Sequence, residues 1–172
     1  PGLQVPVYSL FTWKDQPLIS DLIYGLKGGV LKAPVQKVSQ SLLKERLLLG
    51  PAFCQQLVFV PAPPKQTQTA DHASAIAENL SLLTSSPWFN LLEYDDLSTQ
   101  KHKSLKDRQK IKMRPKVPNT PNTLRKRQVI FVDDVVTSGS TALAAYEALG
   151  SPAHFEVWAL AYRAKLVVSP DL

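Results

Sequence analysis

Cysteine is nearly missing from this chain: Cys54 is the only one among 172 residues. One thiol excludes an internal disulfide and a thiolate zinc cluster, and such usage predicts an intracellular, cytoplasmic protein. Cys54 follows the apolar Ala52 and Phe53 and is expected to be buried and inert. Long apolar runs are missing too. None approaches the roughly 18 residues that a membrane-spanning helix needs, and the opening PGLQVPVYSL lacks the order of a signal peptide. No membrane partner is expected. The chain opens on Pro1 rather than Met, which fits processing or a start further upstream, where another module could sit. Histidine is sparse, and His72, His102 and His154 show no metal-ligand spacing. No Gly-Lys-Ser/Thr occurs, which excludes a Walker-type phosphate loop.

Acidic residues are nearly absent from one stretch. Residues 98 to 127 hold eleven Lys or Arg against the single Asp107, a local net of +10. The rest of the chain has nine basic and thirteen acidic residues, a net of −4, so the formal +6 comes from this one segment. Such a block is either a solvated face or a surface for phosphate-bearing partners, single-stranded DNA among them. It contains no aromatic residue for base stacking, which counts against DNA.

What is present has the composition of an ordinary globular protein, with 44% hydrophobic residues in a length that suits one domain. VYSLFTW reads as a short strand, with helical stretches following near 17–27 and 34–48. Val35, Val38, Leu42 and Leu43 give the second stretch an apolar face. QLVFVPAPPK reads as a buried strand ending in a proline-stiffened loop, and ADHASAIAENLSLL as a helix starting around Ala70 or Asp71. There the Asp71–His72 pair is expected to be a cap with an exposed imidazole. NLLEY is a further short strand, and the second half of the basic stretch, rich in Pro, Asn and Thr, reads as loop or disorder. QVIFVDDV, STALAAYEALG closed by Gly150, and HFEVWALAY then make a βαβ unit, which implies a parallel sheet covered by helices. Trp13, Trp88 and Trp158 are read as packing residues.

The stretch that carries chemistry is VIFVDDVVTSGST, residues 129 to 141. Four apolar residues run into Asp133 and Asp134, and two valines later come five small residues: Thr137, Ser138, Gly139, Ser140 and Thr141. A strand entering a helix through such a turn presents unpaired backbone N–H groups and the positive end of the helix dipole, which together favour a phosphate. The hydroxyls add donors, and Gly139 lets the backbone come close. Two adjacent carboxylates would repel that phosphate, so they should face a sugar diol or a magnesium ion instead. A phosphorylated ribose has both parts. The plainer reading is that Asp and Ser/Thr simply cap a helix, but capping requires neither two adjacent acids nor four hydroxyls.

This motif resembles the phosphoribosyl pyrophosphate (PRPP) motif of the type I phosphoribosyltransferases at every one of its thirteen positions. Two further segments are similar to the ComF-type, competence-associated group. VPAPPK, residues 60 to 65, stands where the family's pyrophosphate loop follows its first core strand. QKHKSLKDR, residues 100 to 108, matches a Gln…Ser…Asp-Arg element through Gln100, Ser104, Asp107 and Arg108. LISDLIYGLKGG also looks like that group's N-terminal helix, ending at Lys27. The departures are that TQTADHASAIA lacks the arginine that relatives carry after the proline loop, and that the four-cysteine zinc module of many relatives is absent.

The resemblance implies an α/β fold: a single domain over 1–172, with a small hood in 1–50 and a core in 51–172. The core would hold a parallel sheet of about five strands and a mobile basic loop over 98–127. It implies that Asp133 and Asp134 hold the ribose 2′- and 3′-hydroxyls and that Thr137, Ser138, Gly139, Ser140 and Thr141 wrap the 5′-phosphate. Lys65 would reach the pyrophosphate, and His72 could touch it. Gln100, Lys101, Lys103, Ser104 and Arg108 would belong to the loop that closes over the site, and Asp133, Asp134 and Arg108 would be the catalytic group. Mg²⁺ would enter bound through PRPP, without a closed protein metal site. The implied activity is phosphoribosyl transfer to an acceptor the sequence does not name. The other expectation is a non-catalytic PRPP or phosphate sensor, or an accessory of the competence machinery that contacts single-stranded DNA. A homodimer is compatible with either.

Overall fold

The computed structural model describes residues 5–12, 32–47, 57–64, 71–95, 111–118, 124 and 126–163. Its centre is a parallel sheet made of β1 (Val7–Thr12), β2 (Leu57–Pro61), β5 (Gln128–Val136) and β6 (Phe155–Tyr162), in the spatial order β1-β6-β5-β2. Burial follows that order. Every residue of β2 is buried, as is most of β6, whereas edge strand β1 is only partly covered. Strands covered on both faces read as continuous apolar runs, which is why LVFVP and VIFV show no alternation.

Two cores result, one on each face. On the first lie α1 (Lys32–Leu47) and α2 (His72–Thr84). Val35, Val38, Leu42 and Leu43 of α1 and Ile76, Ala77 and Leu80 of α2 pack there against Phe59, Ile130, Val132 and Trp158. Ser39 sits fully buried between the helices, its hydroxyl donating to the Val35 carbonyl at 2.9 Å, so its burial leaves no unsatisfied donor. On the second face lie α3 (Ser140–Ala148) and an antiparallel two-stranded ribbon of β3 (Leu92–Tyr94) and β4 (Met113–Pro115). Ala142, Ala144, Ala145 and Leu149 join Leu92 and Met113 over Val129, Phe131, Val157 and Ala159.

Several expectations are revised. Four strands, not five, form the sheet among the described residues. In the fifth place, beyond β2, is a bridge at Trp88, where Phe59 N–H donates to the Pro87 carbonyl and Phe89 N–H to the Phe59 carbonyl, both at 3.0 Å. Proline at position 87 has no N–H to extend that ladder. Within residues 1–50, β1 pairs with β6, and α1 packs on α2. Residues 113–115 of the basic stretch are a strand rather than loop, because Met113 is drawn into the core opposite Tyr94. Its neighbour Arg114 lies directly across from Glu93 and donates to it at 2.8 Å. That pair is exposed and contributes less than about 1 kcal/mol.

Candidate functional site

Strand order and helix placement fix where a ligand can enter. β2 and β5 are neighbours, yet the helix after β2 lies on one face and the helix after β5 on the other. Chains that leave adjacent parallel strands toward opposite faces part at the strands' carboxyl ends, and the gap between them is the usual ligand crevice of an open α/β sheet. Just past that edge, Ala62 N–H donates to the Val132 carbonyl at 2.8 Å, tying the start of the proline loop to β5.

Asp133 and Asp134 stand at this edge, half-buried. The sequence reading put them at the strand's end, but β5 runs on to Val136, with Val135 opposite Ala161 and Val136 opposite Tyr162. β6 is long enough to keep pairing, so the two carboxylates lie within the strand, and the alternation of faces shifts just after them: Val135 packs against the first core and Val136 in the second. Asp133 Oδ1 accepts the Asp134 N–H at 2.8 Å and Asp134 Oδ1 accepts the Val135 N–H at 2.7 Å. Each carboxylate is thereby oriented by the backbone N–H of the residue that follows it.

The turn follows at once. Thr137 and Ser138 are exposed, and Gly139 takes the left-handed conformation with φ 74° at the N-cap of α3. The N-cap residue itself has no side chain to cap with, and the Ser138 Oγ accepts the Ser140 N–H at 3.4 Å. The first intrahelical bond is Leu143 N–H to the Gly139 carbonyl at 2.9 Å, so the N–H groups of residues 140–142 precede the helical ladder. The Ser138 and Ser140 hydroxyl oxygens lie 2.8 Å apart at the same mouth. Asp133 and residues 135–142 line a small depression here, with room of about 20 Å³; Asp134 stands beside it rather than in its wall. An anion can sit over the helix N-terminus, with a hydroxyl-bearing group beside Asp133. A Cβ added to Gly139 meets nothing within 4 Å, so this glycine serves the backbone turn and not a tight contact. Gly139→Ala is accordingly expected to cost about 1–2 kcal/mol of conformational strain, a fall in Tm of about 3–6 °C. Thermal denaturation with and without inorganic phosphate measures both that strain and any loss of phosphate protection.

One residue of this neighbourhood escaped the sequence reading. Tyr94, at the end of β3, is half-buried, and its phenol is pushed up from its ordinary 10.0 to about 12 by burial and then by the charges of Asp133 and Asp134. Tyr94 stays a neutral donor through the physiological range. The sign of the linkage follows: its effect on folding is unchanged below pH 10 and turns against the folded state as pH rises toward 12. No local signal in NLLEY ties it to an aspartate pair encoded so far along the chain.

His72 corrects an expectation. Asp71 does cap α2, accepting the Ser74 N–H at 2.9 Å, but the His72 imidazole is buried rather than exposed. Lys65, Gln100, Lys101, Lys103, Ser104 and Arg108 lie outside the described residues, as do Lys27, Cys54, His102 and Trp13. Among the described residues, no three His, Cys, Asp or Glu side chains stand together as a metal set. Two adjacent carboxylates fit a magnesium ion that arrives on a substrate's oxygens better than a resident one. No described helix is long and apolar enough to cross a membrane.

No protein family and no curated protein matches this sequence. Among solved structures, the chain is similar to a purine phosphoribosyltransferase from Pyrococcus horikoshii Ot3, with a TM-score of 0.41 and 13% identity over 98% of each chain.

Proposed function

We propose that this protein binds PRPP with Mg²⁺ and transfers its phosphoribosyl group, in the manner of the ComF-type phosphoribosyltransferases. The observation that carries the reading is the co-location, at the carboxyl edge of β5, of a left-handed glycine turn opening a helix and two backbone-oriented carboxylates. In the proposed complex the Thr137–Thr141 turn takes the 5′-phosphate, and Asp133 and Asp134 accept from the ribose 2′- and 3′-hydroxyls. The bond between C1′ and the pyrophosphate oxygen breaks with both electrons leaving on pyrophosphate. The acceptor's lone pair bonds to C1′, and its proton passes to solvent. The chain's part is to hold the sugar in position and to keep negative charge near the electron-poor ribose. Magnesium carried on the pyrophosphate oxygens would offset the charge of that leaving group. Lys65, Lys101, Lys103 and Arg108 are assigned, from the motif resemblance alone, to the pyrophosphate and the covering loop, with Gln100 and Ser104 beside them.

A second reading is favoured by one feature of the chain. TQTADHASAIA, which follows the proline loop, has no arginine to grip pyrophosphate. A protein with the phosphoribose half of the site and a weak pyrophosphate half would sense PRPP or serve as an adaptor. The single-stranded DNA version has less support, since Arg114 is bonded to Glu93 and Lys116 to Asn90. The experiment is to incubate the protein with PRPP and Mg²⁺ and to measure pyrophosphate release with purine and pyrimidine bases, amines and water. Release with one acceptor well above that with water is the expected result. PRPP affinity without release would establish the sensor, and single-stranded DNA affinity lost on deleting residues 100–116 would establish the nucleic-acid role.

A further inference from the structure

The amino edge of the sheet, at the far end of the strands from the aspartates, holds a cavity of about 240 Å³. The starts of three strands bound it, through Pro6 just before β1, Gln128 of β5 and Phe155 of β6, and Tyr146 of α3 closes it together with the loop residues Pro152 and His154. Backbone bonds fix these walls. Val157 N–H donates to the Pro6 carbonyl and Val129 N–H to the His154 carbonyl, both at 2.9 Å. The loop leaves α3 through Gly150 and Ser151, with φ 79° and 54°, and Ser151 N–H donates back to the Tyr146 carbonyl at 3.0 Å. The Tyr146 ring meets Phe155 edge to face, with centroids 5.3 Å apart. The cavity is thus formed by the fold itself, as small-molecule sites usually are.

Its chemistry selects against anions. Among the described residues no Lys or Arg lines it, while Glu156 brings a carboxylate to the wall. A phosphate would meet repulsion there and no partner cation. Gln128 donates through Nε2 to Glu156 Oε1 at 2.8 Å, a bond that orients the amide, uses one of its two N–H donors and leaves its oxygen's acceptor capacity untouched. The imidazole of exposed His154 and the phenol of half-buried Tyr146 add groups that can donate or accept. Pro6, Pro152 and the Tyr146 ring supply flat apolar surface between them. A cavity of about 150 Å³ holds benzene, so this one has room for two fused rings. We propose that the cavity binds a flat, uncharged heteroaromatic ring carrying amino or N–H donors, with the Gln128 amide oxygen and the His154 imidazole accepting from it and Tyr146 packed against it. The inference does not depend on the phosphoribose reading, because the two places lie at opposite ends of the parallel strands.

The test titrates the native chain with adenine, a two-ring amino heteroaromatic, and with benzoate, a flat ring bearing a negative charge. Adenine is expected to saturate one site with a Kd between about 10 µM and 1 mM, and benzoate to bind at least about tenfold more weakly. Ala153→Trp fills the cavity from an exposed loop position and should abolish adenine binding. His154→Ala and Gln128→Met, which each remove an acceptor, should weaken it about 5- to 15-fold. Urea denaturation of each variant shows that it is folded, and His154→Ala, at an exposed position, decides the matter if Ala153→Trp does not fold. No saturable adenine binding to the native chain would overturn the proposal, as would benzoate binding equally well. Adenine binding unchanged in folded Ala153→Trp, or in His154→Ala, would place the ring elsewhere on the molecule and overturn it too.

Discussion

Replacing Asp133 and Asp134 together by Asn is expected to lower the affinity for Mg·PRPP by at least about 100-fold and to leave the fold intact. The size follows from the bonds removed. A hydrogen bond to a charged acceptor contributes about 1.5–3 kcal/mol, so losing the charge on two of them costs about 3–6 kcal/mol, or two to four decades in Kd. The fold is spared for a local reason. The oxygens that accept the Asp134 and Val135 N–H groups, at 2.8 and 2.7 Å, have counterparts in the Asn carbonyl oxygens, so both backbone bonds survive. The substitutions also remove two adjacent like charges from a half-buried edge. Stability should change by less than about 1 kcal/mol. Calorimetric titration with urea denaturation alongside checks both statements; a variant that binds as tightly as the native protein would show that the carboxylates do not touch the ligand.

The second large effect is on folding. Phe131→Ala is expected to remove about 3–5 kcal/mol, the range for emptying a buried aromatic site. Phe131 is fully buried in the middle of β5, paired in register with Val60 on one side and Val157 on the other. Its ring stacks on Phe155 with centroids 6.1 Å apart, so the space it leaves is walled by strands that cannot close in. Against a total stability of about 5–15 kcal/mol, this is a fall in Tm of about 6–20 °C. Phe131 is also the residue beneath Asp133 in the row that faces the ribbon, so the site should soften with the core. Urea denaturation with an unchanged m-value and a lowered midpoint is the expected outcome; an unfolding free energy within about 0.5 kcal/mol of the native one would show that the core does not depend on this ring.

Much of the frame was legible in the sequence because local signals and tertiary demands agree there. VIFV and LVFV are apolar without interruption, as strands buried on both faces must be, and Gly150 closes α3 in the left-handed conformation, with φ 79°. The turn at Gly139 was legible for the same reason, since small residues and hydroxyls between a strand and a helix have few other uses. What stayed hidden depends on partners distant in sequence. The β4 strand owes its existence to pairing with β3, so MRP in a basic, proline-containing stretch carries no strand signal of its own. β5 outruns its aspartates because β6 keeps pairing with it, which two acids in a row conceal. His72 is buried by its surroundings, while its sequence neighbour Asp71 advertised only a cap. Tyr94 comes under the charges of Asp133 and Asp134 because the ribbon folds back over the sheet.

The central claim is that the carboxyl edge of β5 grips a ribose by its diol and its phosphate at once. Calorimetric titration of the native protein with Mg·PRPP, ribose 5-phosphate and inorganic phosphate tests it most directly. The account predicts saturation at one site per chain, with ribose 5-phosphate binding more tightly than phosphate and Mg·PRPP most tightly of all. Titrations without saturable heat for any of the three, or equal affinity for phosphate with and without its sugar, would contradict it.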